Sequence, residues 1–334
     1  MKEHSSAIVS SASPLSTSGA AWGLIGVAAF SFTIPFTRIA VGGLDPLFIG
    51  CGRAVIAALL AAGALLIGGA RIPTPREWLG LIPVALGVVA GFPILTSLAL
   101  QTTDAGHAAV VVGLLPAATA VAAVTMAGER PTRRFWVGAS CGVAATIGFT
   151  VAAHGSIGGA GVADLLLFGA VGLGAIGYAQ GGLMSRRLGS WQTISWALVL
   201  ASPVMTAMTV WRVDVAPPHA TIGQWSAFAY LSAISMFLGF FAWYRGLAIG
   251  PMATVSQVQL VQPILSVLWS VLLLGEQLTA ALVVGGLAVI ACAAFTVRSR
   301  VTAPATGMVS TDVDSASASS TAQPSIGKRH PAAR

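Results

Sequence analysis

Long apolar runs alternate with short polar breaks along almost the whole chain. Each run holds about 20 residues, which is the length that an α-helix needs to cross the hydrocarbon core of a bilayer. Most of the breaks are short, so neighbouring helices are expected to run antiparallel. The pattern predicts an all-α membrane protein with ten transmembrane helices, at residues 20–40, 46–69, 77–99, 105–127, 132–153, 162–184, 190–211, 224–246, 251–274 and 278–297.

One stretch of the chain occurs twice. The run LPAATAVAAVTMAGERPTRRFWV has Pro116 near its start and Glu129 at its exit. The run VQPILSVLWSVLLLGEQLTAALVV has Pro263 and Glu276 in the matching places, 147 residues further on. Such self-similarity at a constant offset indicates an internal structural repeat.

The repeat divides the membrane part into two domains of five helices, residues 20–153 and 162–297. Because five is an odd number, the second domain enters the membrane from the opposite side, and Glu129 and Glu276 leave it at opposite faces. Two similar halves with inverted topology are typical of secondary transporters, whose solute site lies near the midplane between the halves. Inverted repeats also occur in channels, so a channel or a lipid-handling protein is kept as the alternative.

Composition supports a membrane protein and argues against nucleic-acid binding. Charged residues make up 8% of the chain and apolar residues 56%, against roughly 25% and 45–50% in ordinary soluble domains. So few charges could not cover a surface exposed to water, and most of the surface must therefore face lipid. The net charge of +7 comes from basic residues between apolar runs, which form no basic face for a nucleic acid. The expected partners are the lipid bilayer and a small-molecule substrate.

The basic residues predict the orientation of the chain in the cell (plasma or inner) membrane. Cytoplasmic loops of membrane proteins carry an excess of Lys and Arg. With both termini in the cytoplasm, only Arg212 is clearly outside. Fourteen basic residues then lie inside or at that boundary, namely Lys2, Arg71, Arg76, Arg130, Arg133, Arg134, Arg186, Arg187, Arg245, Arg298, Arg300, Lys328, Arg329 and Arg334.

Two polar ends flank the helices. Residues 1–19 are rich in Ser and lack the compact apolar core of a signal peptide. Residues 302–334 are rich in Ser, Ala and Thr, and both ends are predicted to be disordered cytoplasmic tails. The three cysteines are isolated in apolar runs, without the spacing of a disulfide framework or a metal site. No metal and no cofactor is therefore expected.

At this point the chain resembles the drug/metabolite transporter superfamily, and specifically its EamA family. The resemblance rests on the two Pro–x12–Glu runs with the Gly-bearing helix after each, on Asp45-Pro46 followed by Arg53, and on the stretch FSFTIPFTR at 30–38. It covers residues 20–297. The resemblance implies ten helices, cytoplasmic termini, and in many members export. Members of the family move amino acids, other metabolites or drugs.

Polar and interrupted positions inside the spans are candidates for substrate binding, because polar groups are costly in a bilayer. Arg53 lies about 10 Å into the second helix at 1.5 Å per residue. There it could attract a carboxylate, bond the carbonyls at a helix end, or reach the outer interface by snorkelling. Pro116 and Pro263 remove a backbone donor at matching places, and paired interruptions point to a transporter site. The alternative for both is a kink without function or a proline in the first turn of a helix. The remaining candidates are Thr33, Tyr178, Gln180, Trp243 and Gln259, for which the alternatives are hydrogen bonds between helices or an interfacial belt of aromatic residues.

Three charged or titratable residues are expected near the membrane faces. Glu129 and Glu276 end the repeated helices, where they could act in gating, pair with a neighbouring Arg, or cap the next helix. His107 begins the fourth helix and could titrate near neutrality, or could lie at the outer interface. No Asp or Glu lies near the middle of any apolar run, so proton coupling through a carboxylate at the midplane is not expected.

These observations predict a secondary transporter rather than an enzyme. The sequence shows no paired acids, no His-x-x-His spacing and no group of Ser and His that would indicate catalysis. The predicted function is export of small metabolites such as amino acids, or of drugs. The solute is expected to bind between the two halves, which rock to expose it to each side in turn.

Overall fold

The computed structural model describes residues 14–127, 132–154, 161–249, 255 and 258–299, and these ranges are helical apart from short connections. They form ten helical segments, some of them in two or three pieces. The segments are α1 (Pro14–Ser31 and Thr33–Ala40), α2 (Pro46–Ile67), α3 (Pro75–Val84, the π-helical Ala85–Gly91, and Phe92–Ala99), α4 (Ala105–Val112 and Leu115–Ala127), α5 (Arg133–His154), α6 (Val162–Leu188), α7 (Ser190–Val215), α8 (Ile222–Tyr230, the π-helical Leu231–Leu238, and Gly239–Ile249), α9 (Val261–Leu274) and α10 (Ala280–Arg298).

Within the described ranges, nine of the ten segments are long and apolar enough to cross a membrane. The exception is α9, whose described helix Val261–Leu274 has 14 residues. The residues just before it lie partly outside the described ranges. The all-α membrane architecture predicted from the apolar runs is confirmed. The predicted tails, 1–19 and 302–334, lie outside the described residues except for the start of α1.

The starts of the helices repeat between the two halves. Thr74 and Thr221 begin α3 and α8 with the same capping box, closed by Glu77 and Gln224 respectively. Each threonine hydroxyl accepts a bond from the backbone N–H three residues on, and the longer side chain returns to the backbone N–H of the threonine. The hydroxyls of Thr132 and Thr279, before α5 and α10, also accept from the backbone N–H three residues on, but Phe135 and Leu282 cannot return a bond.

The halves also repeat their irregular backbone. The π-helical turns Ala85–Gly91 and Leu231–Leu238 fall at matching places in α3 and α8, within one residue of the offset between the repeated prolines. Single π-helical turns inside helices are frequent at functional sites. In α4 the helix is broken by a turn at Gly113 and Leu114, and before α9 a turn occupies Gln259 and Leu260. Both breaks lie within four residues of a repeated proline.

The packing of the segments follows the repeat. The helix α2 packs against its equivalent α7, and α5 packs against its equivalent α10. In addition, α1 of the first half packs on α8 of the second, and α6 of the second packs on α3 of the first. Each half therefore places its first helix against the third helix of the other. This reciprocal arrangement is what two halves related by an axis in the membrane plane produce.

The outer surface of the bundle is apolar. Large side chains such as Leu59, Ile67, Leu165 and Val284 are exposed on it. Large exposed apolar side chains spread over a protein surface indicate contact with a membrane or a partner protein. Because the helices are long enough to span a bilayer, this surface is assigned to contact with lipid. Of the Lys, Arg, His, Asp and Glu side chains in the described ranges, those buried inside the bundle are Arg53, His107 and Asp164.

Candidate functional site

A cavity lies where the broken helices meet. Pro116 and Pro263 both line it, so the repeat brings its two prolines to one place in the fold. The cavity measures about 10 Å³, which is room for roughly one water molecule. Its lining comes from α1, α4, the turn before α9 and α9 itself, as Ile34, Ala109, Val112, Leu115, Pro116, Gln259, Gln262, Pro263 and Ser266.

Two glutamines supply the polar groups of this cavity. Gln259 is 2% exposed and Gln262 is 6% exposed. The side-chain carbonyl oxygens of both residues have no hydrogen-bond partner among the described residues. A buried acceptor without a donor costs about 1–3 kcal/mol, so a solute or water molecule that donates to these oxygens would be favoured. Gln262 was not among the site residues predicted from the sequence.

Helix α1 holds the two halves together beside the cavity. Ser266 of α9 donates to the backbone carbonyl of Ser31 at 2.8 Å, and the indole N–H of Trp269 donates to the Ser31 hydroxyl at 3.0 Å. On another side of α1, the hydroxyl of Thr33 lies 2.8 Å from the hydroxyl of Ser235 in α8. Thr33 is therefore placed at a contact between the halves. Ser31 and Ser266 were missed from the sequence, because a single hydroxyl in an apolar run gives no signal of its partner.

An aromatic cluster lies along α1 from the cavity. Phe30 is one helical turn from Ile34 of the cavity, so both project from the same side of α1. The ring of Phe30 packs against Phe240 and Tyr178, with centroids 4.7 and 6.3 Å apart. Tyr178 also lies 5.9 Å from the ring of Trp243. The predicted residues Tyr178 and Trp243 are thus brought together, and both are buried.

Arg53 is buried near this cluster. It is 2% exposed, and it lies within electrostatic range of Tyr178. Two of its three guanidinium nitrogens, Nε and Nη1, have no hydrogen-bond partner among the described residues. The other intramembrane arginine of the first half, Arg38, instead donates to the backbone carbonyl of Leu100 at the end of α3, at 2.8 Å. In the described ranges, Nε and Nη1 of Arg53 are thus not bound to a helix end, and its burial does not fit snorkelling, so two of the three roles considered for it are not supported.

Gln180 occupies a different position from Gln259. Its amide donates to the backbone carbonyl of Gly80 in α3 at 3.1 Å. This is a hydrogen bond between helices of the two halves, and it is the alternative role that the sequence allowed. Gln180 does not line the cavity at the repeated prolines.

A larger vestibule opens on the predicted outer face. It has a volume of about 790 Å³ and lies between the α3–α4 connection, the end of α5 and the α9–α10 connection. Gly106 lines the vestibule and Ala109 lines the cavity. These residues are separated by about 4.5 Å along α4. The vestibule therefore ends about one helical turn above the cavity.

Two polar contacts tie the halves together at this vestibule. The carboxylate of Glu276 accepts hydrogen bonds from the backbone N–H groups of Ala105 and Gly106, both at 2.7 Å. Glu276 thus caps α4 of the opposite half and not the next helix, and negative charge is favoured at this end of a helix. Nε2 of His107 lies 2.7 Å from the Asp164 carboxylate of α6. Glu129, the repeat equivalent of Glu276, lies outside the described residues.

Asp164 is a further residue that the sequence did not predict. It is buried, and besides His107 it accepts a bond from the backbone N–H of Gly161 at 3.0 Å. Asp164 lies in the first turn of α6, where an acidic residue is common as a helix cap. Only the fold shows that His107 of α4 contacts it. The described ranges bring together no group of three or more His, Cys, Asp or Glu side chains that could hold a metal ion.

The comparisons with known proteins agree with the division of the chain into two similar halves. The model of the EamA-like transporter family matches residues 17–151 and again 161–298, one match for each half. The chain is 43% identical over 278 residues to the uncharacterized transporter YdeK of Bacillus subtilis (strain 168), covering 83% of this chain and 96% of that protein. A known crystal structure shares the fold, with a TM-score of 0.60 at 18% identity, covering 84% of this chain and 96% of the other. The chain is therefore a multi-pass membrane protein that belongs to the EamA-like transporter family.

Proposed function

We propose that this transporter is a secondary carrier that moves a small polar metabolite by alternating access. The solute binds at the cavity between the broken helices α4 and α9, and the two halves rock to expose it to each side in turn. The observation that carries this proposal is that Pro116 and Pro263 line one buried cavity from equivalent places in the two halves. Discontinuous helices meeting near the midplane are the usual form of a site in transporters built from inverted repeats.

Unpartnered polar groups support this location. The carbonyl oxygens of Gln259 and Gln262 are acceptors without donors, so hydroxyl, amide or ammonium groups of a solute would suit them. The cavity as it stands is too small for a metabolite. The proposal therefore requires the halves to separate when solute enters, and the vestibule one turn away gives a route from the predicted outer face.

The experiment is counterflow in proteoliposomes. Vesicles loaded with one unlabelled solute are diluted into the same solute in labelled form, over a panel of amino acids, other metabolites and cationic drugs. A carrier accumulates label transiently, because the binding site must return loaded. If the labelled solute only equilibrates across the vesicle membrane, without transient accumulation and at a rate that does not saturate, the protein is instead a channel. Comparing release from loaded vesicles with uptake tests the proposed direction, which is export.

We further propose that both termini face the cytoplasm. The exposed arginines at one face of the bundle include Arg76, Arg187 and Arg298, whereas Arg212 at the other face is bound to Asp45. The bias agrees with the excess of basic residues in cytoplasmic loops. A membrane-impermeant thiol reagent applied to intact cells should label Ala216→Cys, in the α7–α8 connection, and should label Ile72→Cys only after permeabilisation. Both variants would carry alanine in place of the native cysteines. Labelling of Ile72→Cys in intact cells, and of Ala216→Cys only after permeabilisation, would show that the termini face the outside.

A further inference from the structure

The buried charges of the described ranges do not balance. Of the Lys, Arg, His, Asp and Glu side chains in these ranges, three are buried, namely Arg53, His107 and Asp164. Asp164 already lies 2.7 Å from His107, at the predicted outer end of the bundle. Every other described carboxylate lies at a helix end or in a connection, as Asp45, Glu77, Asp104, Asp214 and Glu276 do. Arg53 is therefore a buried cation without a buried anion beside it in the described part of the chain.

This arrangement is costly unless something binds the guanidinium. Moving an ion from water into a protein interior costs several kcal/mol even after relaxation, unless a countercharge is present. Arg53 is 2% exposed and leaves its Nε and Nη1 groups without partners among the described residues. These two groups lie at different edges of the planar guanidinium, so a carboxylate would accept from one of them together with Nη2, as Asp45 accepts from Nε and Nη2 of Arg212.

An aromatic cluster includes Tyr178, which lies within electrostatic range of Arg53. The Tyr178 ring packs against Phe240 at 5.7 Å and Trp243 at 5.9 Å. The indole N–H of Trp243, which is 1% exposed, also has no partner in the described ranges. The cluster therefore combines flat apolar faces with unpartnered donors.

We propose that Arg53 binds the anionic group of the transported solute, and that Phe240, Tyr178 and Trp243 hold its apolar part. The substrate class is then a small monocarboxylate that carries an aromatic or branched aliphatic group. A carboxylate is favoured over a phosphate because one buried cation balances one negative charge, whereas a phosphate dianion would leave a net charge in the interior. This inference rests on the proposed carrier function, since it assigns the solute of that carrier.

The first test uses the wild-type protein in detergent and measures its thermal unfolding. The probes are a panel of aromatic and branched aliphatic monocarboxylates, each paired with the neutral amide and the amine of the same skeleton. A ligand that binds only the folded state raises the unfolding temperature in a saturable way. We expect at least one carboxylate to stabilise the protein where its amide and amine do not. Stabilisation by amides or amines as strong as that by carboxylates, or by no member of the panel, would overturn the inference.

Variants separate binding from a structural role. Arg53→Met removes the charge but keeps an apolar stem, and Arg53→Lys keeps the charge without the planar fork. We expect Arg53→Met to lose at least about tenfold in affinity for the preferred carboxylate, and Arg53→Lys to lose less. The matched control is Arg245→Met, at an exposed arginine of α8. It should bind the carboxylate as the wild type does.

The stability of the protein without solute gives a second readout. If Arg53 is an unpaired buried charge, Arg53→Met should unfold at a temperature equal to or above that of the wild type. A lower unfolding temperature, together with an unchanged preference for carboxylate over amide, would show that Arg53 acts in the structure alone. If Arg53→Met does not fold, the preference of the wild-type protein for carboxylates over their amides and amines still tests the inference.

The failure of this inference can be told apart from the failure of the carrier proposal. Counterflow of a neutral or cationic solute, with no response to carboxylates, would overturn the role of Arg53 and leave the carrier intact. Saturable stabilisation by a carboxylate that is lost in Arg53→Met, without counterflow of that carboxylate, would support the role of Arg53 and contradict the carrier.

Discussion

Pro116 and Pro263 line the same cavity, although 147 residues separate them in the chain. Each proline lacks the backbone N–H that would close the preceding helical turn, and each follows a break, at Gly113 and Leu114 or at Gln259 and Leu260. The repeat thus places two interruptions of the helical hydrogen bonding at the same cavity. Backbone groups freed at such breaks are tolerated in a membrane only where protein or water satisfies them, and this makes the meeting point suitable for a polar solute.

Replacing Gln259 should impair transport more than folding. Gln259→Leu keeps the approximate volume and removes a buried acceptor that has no partner in the described ranges. Loss of one hydrogen bond to solute would lower kcat/KM about twofold to tenfold, measured as initial rates of counterflow. The unfolding temperature should be unchanged or higher, because an unsatisfied polar group is removed.

Gln180→Leu is the comparison variant for this prediction. Its amide donates to the carbonyl of Gly80 between two helices. We expect a loss of about 1 kcal/mol in the free energy of unfolding, with no loss of transport beyond the loss of folded protein. A larger transport defect in Gln180→Leu than in Gln259→Leu, at equal amounts of folded protein, would move the site away from the broken helices.

Removing the charge of Glu276 should weaken the contact between α4 and the α9–α10 connection. Its carboxylate accepts from two backbone N–H groups at the start of α4. Glu276→Gln keeps one acceptor oxygen but loses the favourable charge at the helix N-terminus, so a loss of about 0.5–2 kcal/mol is expected from thermal unfolding. Gln277→Ala, at the exposed neighbouring residue of the same connection, should leave the stability unchanged. Equal effects of the two changes would contradict the assigned capping role.

The crossing of α3 and α6 should tolerate no side chain at Gly87. A Cβ placed there would lie 2.3 Å from the backbone carbonyl oxygen of Leu173, and backbone atoms cannot move aside cheaply. We expect Gly87→Ala to cost at least about 1–3 kcal/mol, as overpacking does, in thermal unfolding. Gly172→Ala is the control, since a Cβ at that neighbouring position of α6 meets nothing within 4 Å. Equal stability of the two variants would show that the helices cross differently.

The sequence predicted the class of fold because apolar length and the Pro–x12–Glu repeat are local features. It also predicted that Pro116 and Pro263 mark equivalent interruptions. It could not predict which polar groups meet, because that depends on how the halves interleave. Glu276, for example, caps α4 of the other half and not α10, and His107 meets Asp164 across 57 residues. Likewise, Gln180 and Gln259 look alike in sequence, and only the crossing with α3 gives Gln180 a partner.

The central claim is that the cavity at the repeated prolines is reached from each face in turn. Its most direct test uses Val112→Cys, at a buried residue that lines the cavity, in a protein with Cys51, Cys141 and Cys292 replaced by alanine. The rate of alkylation by an impermeant thiol reagent is measured from the outside and from the inside, with and without Glu276→Gln. A change that favours one state of a two-state equilibrium must deplete the other. We therefore predict that Glu276→Gln raises the rate from outside and lowers the rate from inside. Rates that rise together from both faces, or a cysteine that reacts from neither, would contradict alternating access at this site.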